Sequence, residues 1–342
     1  MMDRSGIDDD DTVRLLPRPA VARHRRHGGR ELVIGLVNTM PAAAMRGTET
    51  RFRALACAAP NGWTVRLRVF SRPENDAPRE GHETLNAIWD ADLDALIVTG
   101  AEPRTAAMRD EPAWPLFASL VDWARENTIS TYWSCMAAHA AVHRLDGLER
   151  TRLAEKCFGV FACEKASNHV LTGGAPPVWS VPHSRWNDLG ADALREHGYQ
   201  ILSQAREAGA DLFVKRATRS LFVLSQGHPE YAADSLPREY RRDIRRFLDR
   251  ARDTWPALPL GCFDAQAAAR FEALAKDFQR DPTIDPEAAL KAAFAVTPVD
   301  VWTERAACLF ARWVGFVAAR KAERRRPEFY QVRTDERRIS VA

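Results

Sequence analysis

One cysteine stands where an apolar run of strand-forming residues meets an alanine-rich helical run, in STYWSCMAAHAAV at residues 130–142. A thiol at such a join has two advantages as a nucleophile. The tight turn exposes the sulfur of Cys135, and the positive end of the following helix favours a thiolate. The backbone N–H of Met136 could also hold a developing oxyanion. A thiol alone decides little, because free cysteine is among the most buried residue types. A cysteine nucleophile needs a base for its proton, and a histidine base needs a carboxylate to fix its tautomer. SQGHPEY, residues 225–231, supplies both in His228 and Glu230. Cys135, His228 and Glu230 are therefore candidates for nucleophile, base and orienter.

Those residues need a frame that brings them together. ELVIGLVNTM (31–40), WTVRLRVFS (63–71), LDALIVTGAEP (93–103) and TISTYWS (128–134) read as strands. TETRFRALACAAP (48–60), WPLFASLVDWAREN (114–127) and CMAAHAAVHRL (135–145) read as helices between or after them. Nearly uniformly apolar strands alternating with helices predict a doubly wound, mostly parallel α/β sheet covered on both faces. In such sheets ligands bind at the carboxyl ends of strands. Thr99-Gly100, Ser134-Cys135 and Gly227-His228 all fall at predicted strand ends. LFVKRATRSLFVLSQGHPEY (212–231) reads as a hairpin-like strand pair, PREYRRDIRRFLDRARD (237–253) as a charged helix, and 264–323 as helical with a break at RDPTIDP.

The chain has 342 residues with 46% hydrophobic and 28% charged composition, which suits a globular enzyme. A net charge of +3 does not point to nucleic acid as a partner. The basic runs at 18–30 and 319–338 read as solvated ends. The polar start lacks the apolar segment of a signal peptide, and no stretch is apolar over a bilayer's width, so a cytoplasmic protein with no membrane partner is expected. Six scattered cysteines then read as reduced thiols. Cys135 and His139 share the i, i+4 spacing of a metal pair, but no third ligand stands near them, so no metal is expected. No phosphate-binding glycine loop follows the first strand.

ALIVTGAEP, TYWSCMAAHAAV, AEKCFGVF, VPHSRWND and LSQGHPEY followed by REYRRD occur in the order and spacing of one family. The sequence resembles the homoserine O-succinyltransferases and O-acetyltransferases, over about residues 31–250 and more loosely over 302–316. The resemblance implies a class I glutamine amidotransferase-like, flavodoxin-like fold. The expected division is a flexible basic arm at 1–30, a catalytic domain at 31–250, a helical C-terminal part at 251–323 and a basic tail at 324–342. It also implies ping-pong transfer from an acyl-coenzyme A co-substrate, with no bound cofactor, to the hydroxyl of L-homoserine. Cys135 would carry the acyl group, His228 would move protons, and Met136 and Ala101 would offer oxyanion N–H groups. Arg242 would hold the amino acid's carboxylate, with Lys156, Ser184 and Arg185 lining the site. A homodimer is expected.

Three stretches depart from the family pattern, one of them the Ala-rich 251–300, which is unlike the family's usual C-terminal part and could form a helical cap or dimer contact. The family's MPxK stretch reads TMPAAAMRGTETRF here (39–52), without lysine, and Arg46 is the residue that could stand in. Acyl choice tracks a position after the TGA strand end, where Arg104 falls. An arginine there could pair with the free carboxylate of a succinyl group, which a glutamate would repel. That favours succinyl over acetyl. If the match runs two residues earlier, Glu102 takes the place and the preference reverses. Three other readings stand beside this one: a Cys-His-Glu glutamine hydrolase, which favours a glycine-flanked elbow that Trp-Ser-Cys-Met-Ala lacks; transfer to another hydroxy amino acid; and a scaffold, which would not need Cys135, His228, Glu230 and Arg242 together.

Overall fold

Strands form here where apolar residues run without interruption, and the helices between them cover the sheet. The structure is a computed structural model and describes residues 30–57, 60, 62–71, 80–281, 284–295 and 299–324. In chain order the elements begin with β1 (Glu31–Val37), α1 (Ala42–Ala56), β2 (Thr64–Ser71), β3 (Glu83–Thr84) and β4 (Ala95–Val98). Then come α2 (Trp114–Asn127), β5 (Ser130–Ser134), α3 (Met136–Asp146), β6 (Thr151–Lys165), β7 (Val178–Asp188) and α4 (Ala191–Glu196). β8 (Gln200–Ala205), β9 (Gly209–Ala217), β10 (Ser220–Ser225) and α5 (Ser235–Leu248) follow, and α6 (Ala265–Arg280), α7 (Pro286–Ala293) and α8 (Thr303–Arg324) end the described chain. None of these helices is long and apolar enough to cross a membrane.

All the strands join one sheet in the order β3-β2-β1-β4-β5-β10-β9-β8-β6-β7. From β3 to β10 every pairing is parallel, and from β10 to β7 every pairing is antiparallel. Leaving aside the two-residue β3, the parallel strands run β2-β1-β4-β5-β10, which is the flavodoxin-like order. One face buries α2 and α3 through Phe117, Leu120, Val121, Ala137 and Ala141. The other buries α1 and α8 through Phe52, Phe310, Trp313 and Val317. β4 and β5 are buried along their whole length, as strands covered on both faces must be.

The C-terminal part, 251–323, divides in its packing. α8 lies in the core of the sheet, where Trp313 donates to Ser130 Oγ at 2.9 Å and Lys321 pairs with Asp94 at 2.6 Å. α6 and α7 instead build a smaller core with the apolar face of α5 around Leu236, Tyr240, Ile244, Phe271 and Leu290. That core fixes α5 against the sheet and leaves its charged face turned the other way. Two expectations shift. The helix after β1 starts at Ala42 rather than at Thr48, so it takes in most of 39–52. The sequence reading assigned no strand to 151–205, where β6, β7 and β8 lie. Of the expected solvated basic runs, 18–29 and 325–338 lie outside the described residues, whereas 319–324 end α8 and Lys321 is held by Asp94 and Glu31 O rather than solvated.

Candidate active site

β5 and β10 are parallel neighbours, and their register pairs Ser134 with Ser225. The residues just beyond them, Cys135 and His228, therefore emerge side by side at the carboxyl edge. Cys135 takes φ 52° and ψ −116°, a conformation that costs a non-glycine residue about 1–3 kcal/mol. The turn is held by its own N–H, which donates to Ser225 O at 2.8 Å, and by its carbonyl, which accepts from Ala138 N and His139 N. The loop after β4 presses against this elbow. A Cβ on Gly100 would lie 2.7 Å from Met136 N and 2.8 Å from Ala137 N, so the approach needs glycine. Met136 and Ala137 open α3, where backbone N–H groups have no intrahelical partner. Ala101 and Met136 both line the cleft above the thiol.

His228 Nδ1 lies 2.9 Å from Glu230 Oε1, which also accepts from Ser134 Oγ at 2.8 Å. The other ring nitrogen, Nε2, is buried without a hydrogen-bond partner. Burial works against an imidazolium here, but the interactions with Cys135 and Glu230 outweigh it, and the His228 pKa stands well above its ordinary value. The ring stacks on Tyr231 with centroids 4.2 Å apart, and its backbone N–H donates to Pro182 O at 2.8 Å. Gln226, just before the loop, accepts from His139 Nε2 at 2.9 Å and from Leu189 N at 2.9 Å, and donates to Ala210 O at 2.7 Å. His139 is thereby tied into the scaffold. Burial first, then the charge of Arg185, lower its pKa to about 3, so it stays neutral.

Cys135 and His228 open onto a cleft of about 290 Å³. Its cationic wall comes from β6 and α5. Lys156 Nζ donates to Glu239 and Asp243, each at 3.2 Å, and lies 3.8 Å from the centre of the Phe158 ring. Ser184 Oγ and Tyr231 OH both donate to Glu239, each at 2.5 Å. Burial alone would raise the Glu239 and Asp243 carboxyls, but Lys156 and the neighbouring arginine Arg242 hold both below the ordinary range. Arg242 rests on Asp243 at 3.2 Å with its side chain 44% exposed, free to turn its fork to a ligand.

The sequence-derived residues are placed unequally. Cys135, His228, Lys156, Ser184, Arg185 and Arg242 share the cleft. Arg185 is already committed: it donates to Asn187 O and Ala208 O and pairs with Asp188 at 2.9 Å. Arg46 is exposed on α1, away from the cleft lining. Arg104 is exposed too; its backbone N–H is held by Glu111 at 3.0 Å, and Glu102 lines the cleft in its stead. Ser134, Gln226, Tyr231, Glu239 and Arg246 were not singled out in the sequence. Glu239 and Arg246 could have been found from their i, i+3 and i, i+4 spacing to Arg242, which sets all three on one face of α5.

A second set of the same residue types lies behind the first. Ligand atoms of Cys163, His183 and Asp211 lie within 4.8 Å of one another, a grouping that among the described residues could hold a metal ion. The set lacks the charge such an ion needs. Burial pushes the Cys163 thiol far up, so it stays protonated. Burial likewise lowers the His183 pKa, despite Asp211 Oδ1 at 3.4 Å.

With this geometry in view, the comparisons with known proteins decide the family. A family model described as homoserine O-succinyltransferase matches residues 18–324. The chain belongs to that family. The match reaches further at both ends than the 31–250 stretch whose motifs suggested it. A homoserine O-succinyltransferase from Rhodopseudomonas palustris is 45% identical over 298 residues, covering 83% of this chain and 88% of that protein. One from Bradyrhizobium japonicum is 43% identical over 311 residues, covering 88% and 94%. Among solved structures, a glutamine amido transferase from Methylobacillus flagellatus aligns with 84% of this chain and 95% of its own, at 14% identity and a TM-score of 0.48.

Proposed function

We propose that this protein acylates the hydroxyl of L-homoserine from an acyl-coenzyme A, with succinyl favoured, through an acyl group carried on Cys135. The observation that carries this reading is the line from the strained Cys135 elbow through His228 to Glu230, opening onto a cleft walled by Lys156 and Arg242. Family membership supports both the acceptor and the succinyl preference.

In the first half, the Cys135 thiolate attacks the thioester carbonyl. The carbonyl π electrons move to oxygen, facing the N–H groups of Met136 and Ala101. The oxyanion collapses, the bond to the coenzyme A sulfur breaks, and the leaving thiolate takes the proton from His228 Nε2. In the second half, homoserine enters with its carboxylate on Arg242. The neutral His228 Nε2 accepts the hydroxyl proton as the oxygen attacks the acyl-cysteine. Cys135 leaves as a thiolate, and the thiolate–imidazolium pair is restored. Glu230 holds Nδ1–H throughout, which keeps Nε2 toward the reacting atoms.

The test is product mass after incubation with L-homoserine and equal acetyl- and succinyl-coenzyme A, beside Cys135→Ala. O-succinylhomoserine from the wild type alone supports the full reading. O-acetylhomoserine keeps the mechanism and reverses the acyl preference. No acylated homoserine overturns the reading.

A further inference from the structure

α5 presents two guanidinium groups to the cleft, Arg242 and Arg246, one helical turn apart on the same face. Arg242 leans on Asp243 and, at 3.8 Å, Glu239. Arg246 also lies near Asp243, with Nη1 3.5 Å from Oδ1, but its fork reaches across the cleft. Its two terminal nitrogens meet the two carboxylate oxygens of Glu102, each at 3.1 Å. Glu102 lies two residues beyond Gly100, on the loop packed against the oxyanion end of Cys135. Glu239, the other carboxylate lining the cleft, already accepts from Lys156, Ser184 and Tyr231. Both partners of the Arg246–Glu102 pair are partly exposed, at 42% and 44%. Such a pair is held weakly and can exchange partners.

We infer that Arg246 recognises the free carboxylate of a dicarboxylic acyl group, and that Glu102 occupies its fork until that carboxylate arrives. The inference rests on the acyl transfer proposed above. A succinyl group on Cys135 carries a terminal carboxylate that an acetyl group lacks. A carboxylate offered to Arg246 reproduces the two parallel hydrogen bonds that Glu102 now makes. The amino acid's own carboxylate has a separate fork in Arg242, so the two substrates do not compete for one cation. Arg104, the residue that sequence position suggests for this task, is outside the cleft lining. Glu102 would repel the succinyl end if it stood alone, and its pairing with Arg246 removes that penalty.

The experiment measures kcat/KM for succinyl- and acetyl-coenzyme A with L-homoserine in the wild type, Arg246→Ala and Glu102→Gln. Losing a two-bond carboxylate contact predicts that Arg246→Ala lowers the succinyl-to-acetyl ratio about tenfold or more. Glu102→Gln frees the fork and keeps the side-chain shape, so the ratio should rise. A wild type that transfers neither acyl group overturns the reaction itself, and this inference with it. An active wild type whose ratio stays the same in Arg246→Ala leaves the reaction standing and removes Arg246 from acyl recognition. A ratio that falls in Glu102→Gln also overturns the inference, by making Glu102 itself the required group. Because Glu102→Gln is a near-isosteric change at an exposed position, it decides the matter even if Arg246→Ala does not fold.

Discussion

The protein contains two Cys–His–carboxylate sets within one sheet, and they behave in opposite ways. In Cys135–His228–Glu230 the histidine is held at 2.9 Å and its pKa is raised. In Cys163–His183–Asp211 the separation is 3.4 Å and the pKa is lowered. The sets are close neighbours: a Cβ on Gly227, next to His228, would lie 2.6 Å from Asp211 Oδ1 and 2.9 Å from His183 Nε2. Both histidines are buried, so burial alone does not separate them. Cys163 lies within β6, where burial keeps its thiol neutral, so His183 faces only the Asp211 carboxylate and burial outweighs it. Cys135 sits at a helix N-terminus on a cleft, and its interaction with the imidazole, together with that of Glu230, raises His228. Residue types set the possibility; the elbow and the opening distinguish the two sets.

The sharpest way to break this comparison is to remove each thiol in turn. Cys135→Ala should abolish acyl transfer, by about 10⁴-fold or more in kcat. Cys163→Ala should leave kcat within about threefold and cost about 1 kcal/mol of stability. Iodoacetamide should modify Cys135 quickly at neutral pH and leave Cys163 untouched until the protein unfolds. Equal loss of activity in the two variants would show that the sealed set takes part in the chemistry.

Removing each carboxylate comes next. Glu230→Gln should lower kcat by about 10²–10⁴-fold, because Nδ1–H loses its anion and the tautomer is no longer fixed. Asp211→Asn should act mainly on stability, by about 1–3 kcal/mol, because Ser203 Oγ donates to it at 2.7 Å in a buried site. Thermal melts and steady-state rates on both variants separate the outcomes. A Glu230→Gln enzyme with unchanged kcat would remove Glu230 from the orienting role.

Protonation gives a third contrast. By imidazole ¹⁵N NMR at neutral pH, His228 should be charged while His183 and His139 are neutral. Cys135→Ala should lower the His228 pKa, since one of the charges that raise it is gone. The stability contributions have opposite signs. The raised pKa of His228 adds stability below the unfolded value near 6.5, and that stability is lost as pH rises through the folded value. The lowered values of His183 and His139 add stability above about 6.5 that is lost as pH falls and the unfolded chain takes up protons. A neutral His228 in the wild type at pH 7 would contradict the thiolate–imidazolium pair.

Much of this was legible before any coordinates. β1, β4 and β5 announce themselves as apolar runs, and Cys135 and His228 sit where those runs end, so a parallel sheet carries its reactive edge in the sequence. β6 was not legible, because TRLAEKCFGVFACEK mixes charges with apolar residues at the far end of the sheet and shows no period. The cleft's electrostatics were read only in part. Arg242 stood out by motif, but the neighbours that complete its face, Glu239 and Arg246, matter through partners on β7 and on the loop after β4. Arg104 shows the converse. Its position along the chain suggested a role, yet Glu111 fixes its backbone and Glu102 takes the place in the cleft. Spacing along one element is written in the sequence; contacts between distant elements are not.

The smallest effect concerns Ser134, the last residue of β5. Its hydroxyl donates to Glu230 Oε1 at 2.8 Å, the same oxygen that faces His228 Nδ1. Glu230 Oε2 has no hydrogen-bond partner, so Ser134 and His228 together locate the carboxylate. Ser134→Ala removes one neutral donor and leaves the charge in place. A single such hydrogen bond is worth about 1 kcal/mol, so kcat should fall roughly 3–10-fold. KM for homoserine should stay unchanged, because Ser134 does not line the cleft. In Glu230→Gln the same serine change should add almost nothing, since the carboxylate it serves is already gone. Additive losses in the double variant would mean that Ser134 acts on the reaction by a route other than Glu230, and the orienting chain would then begin at His228 and Glu230 alone.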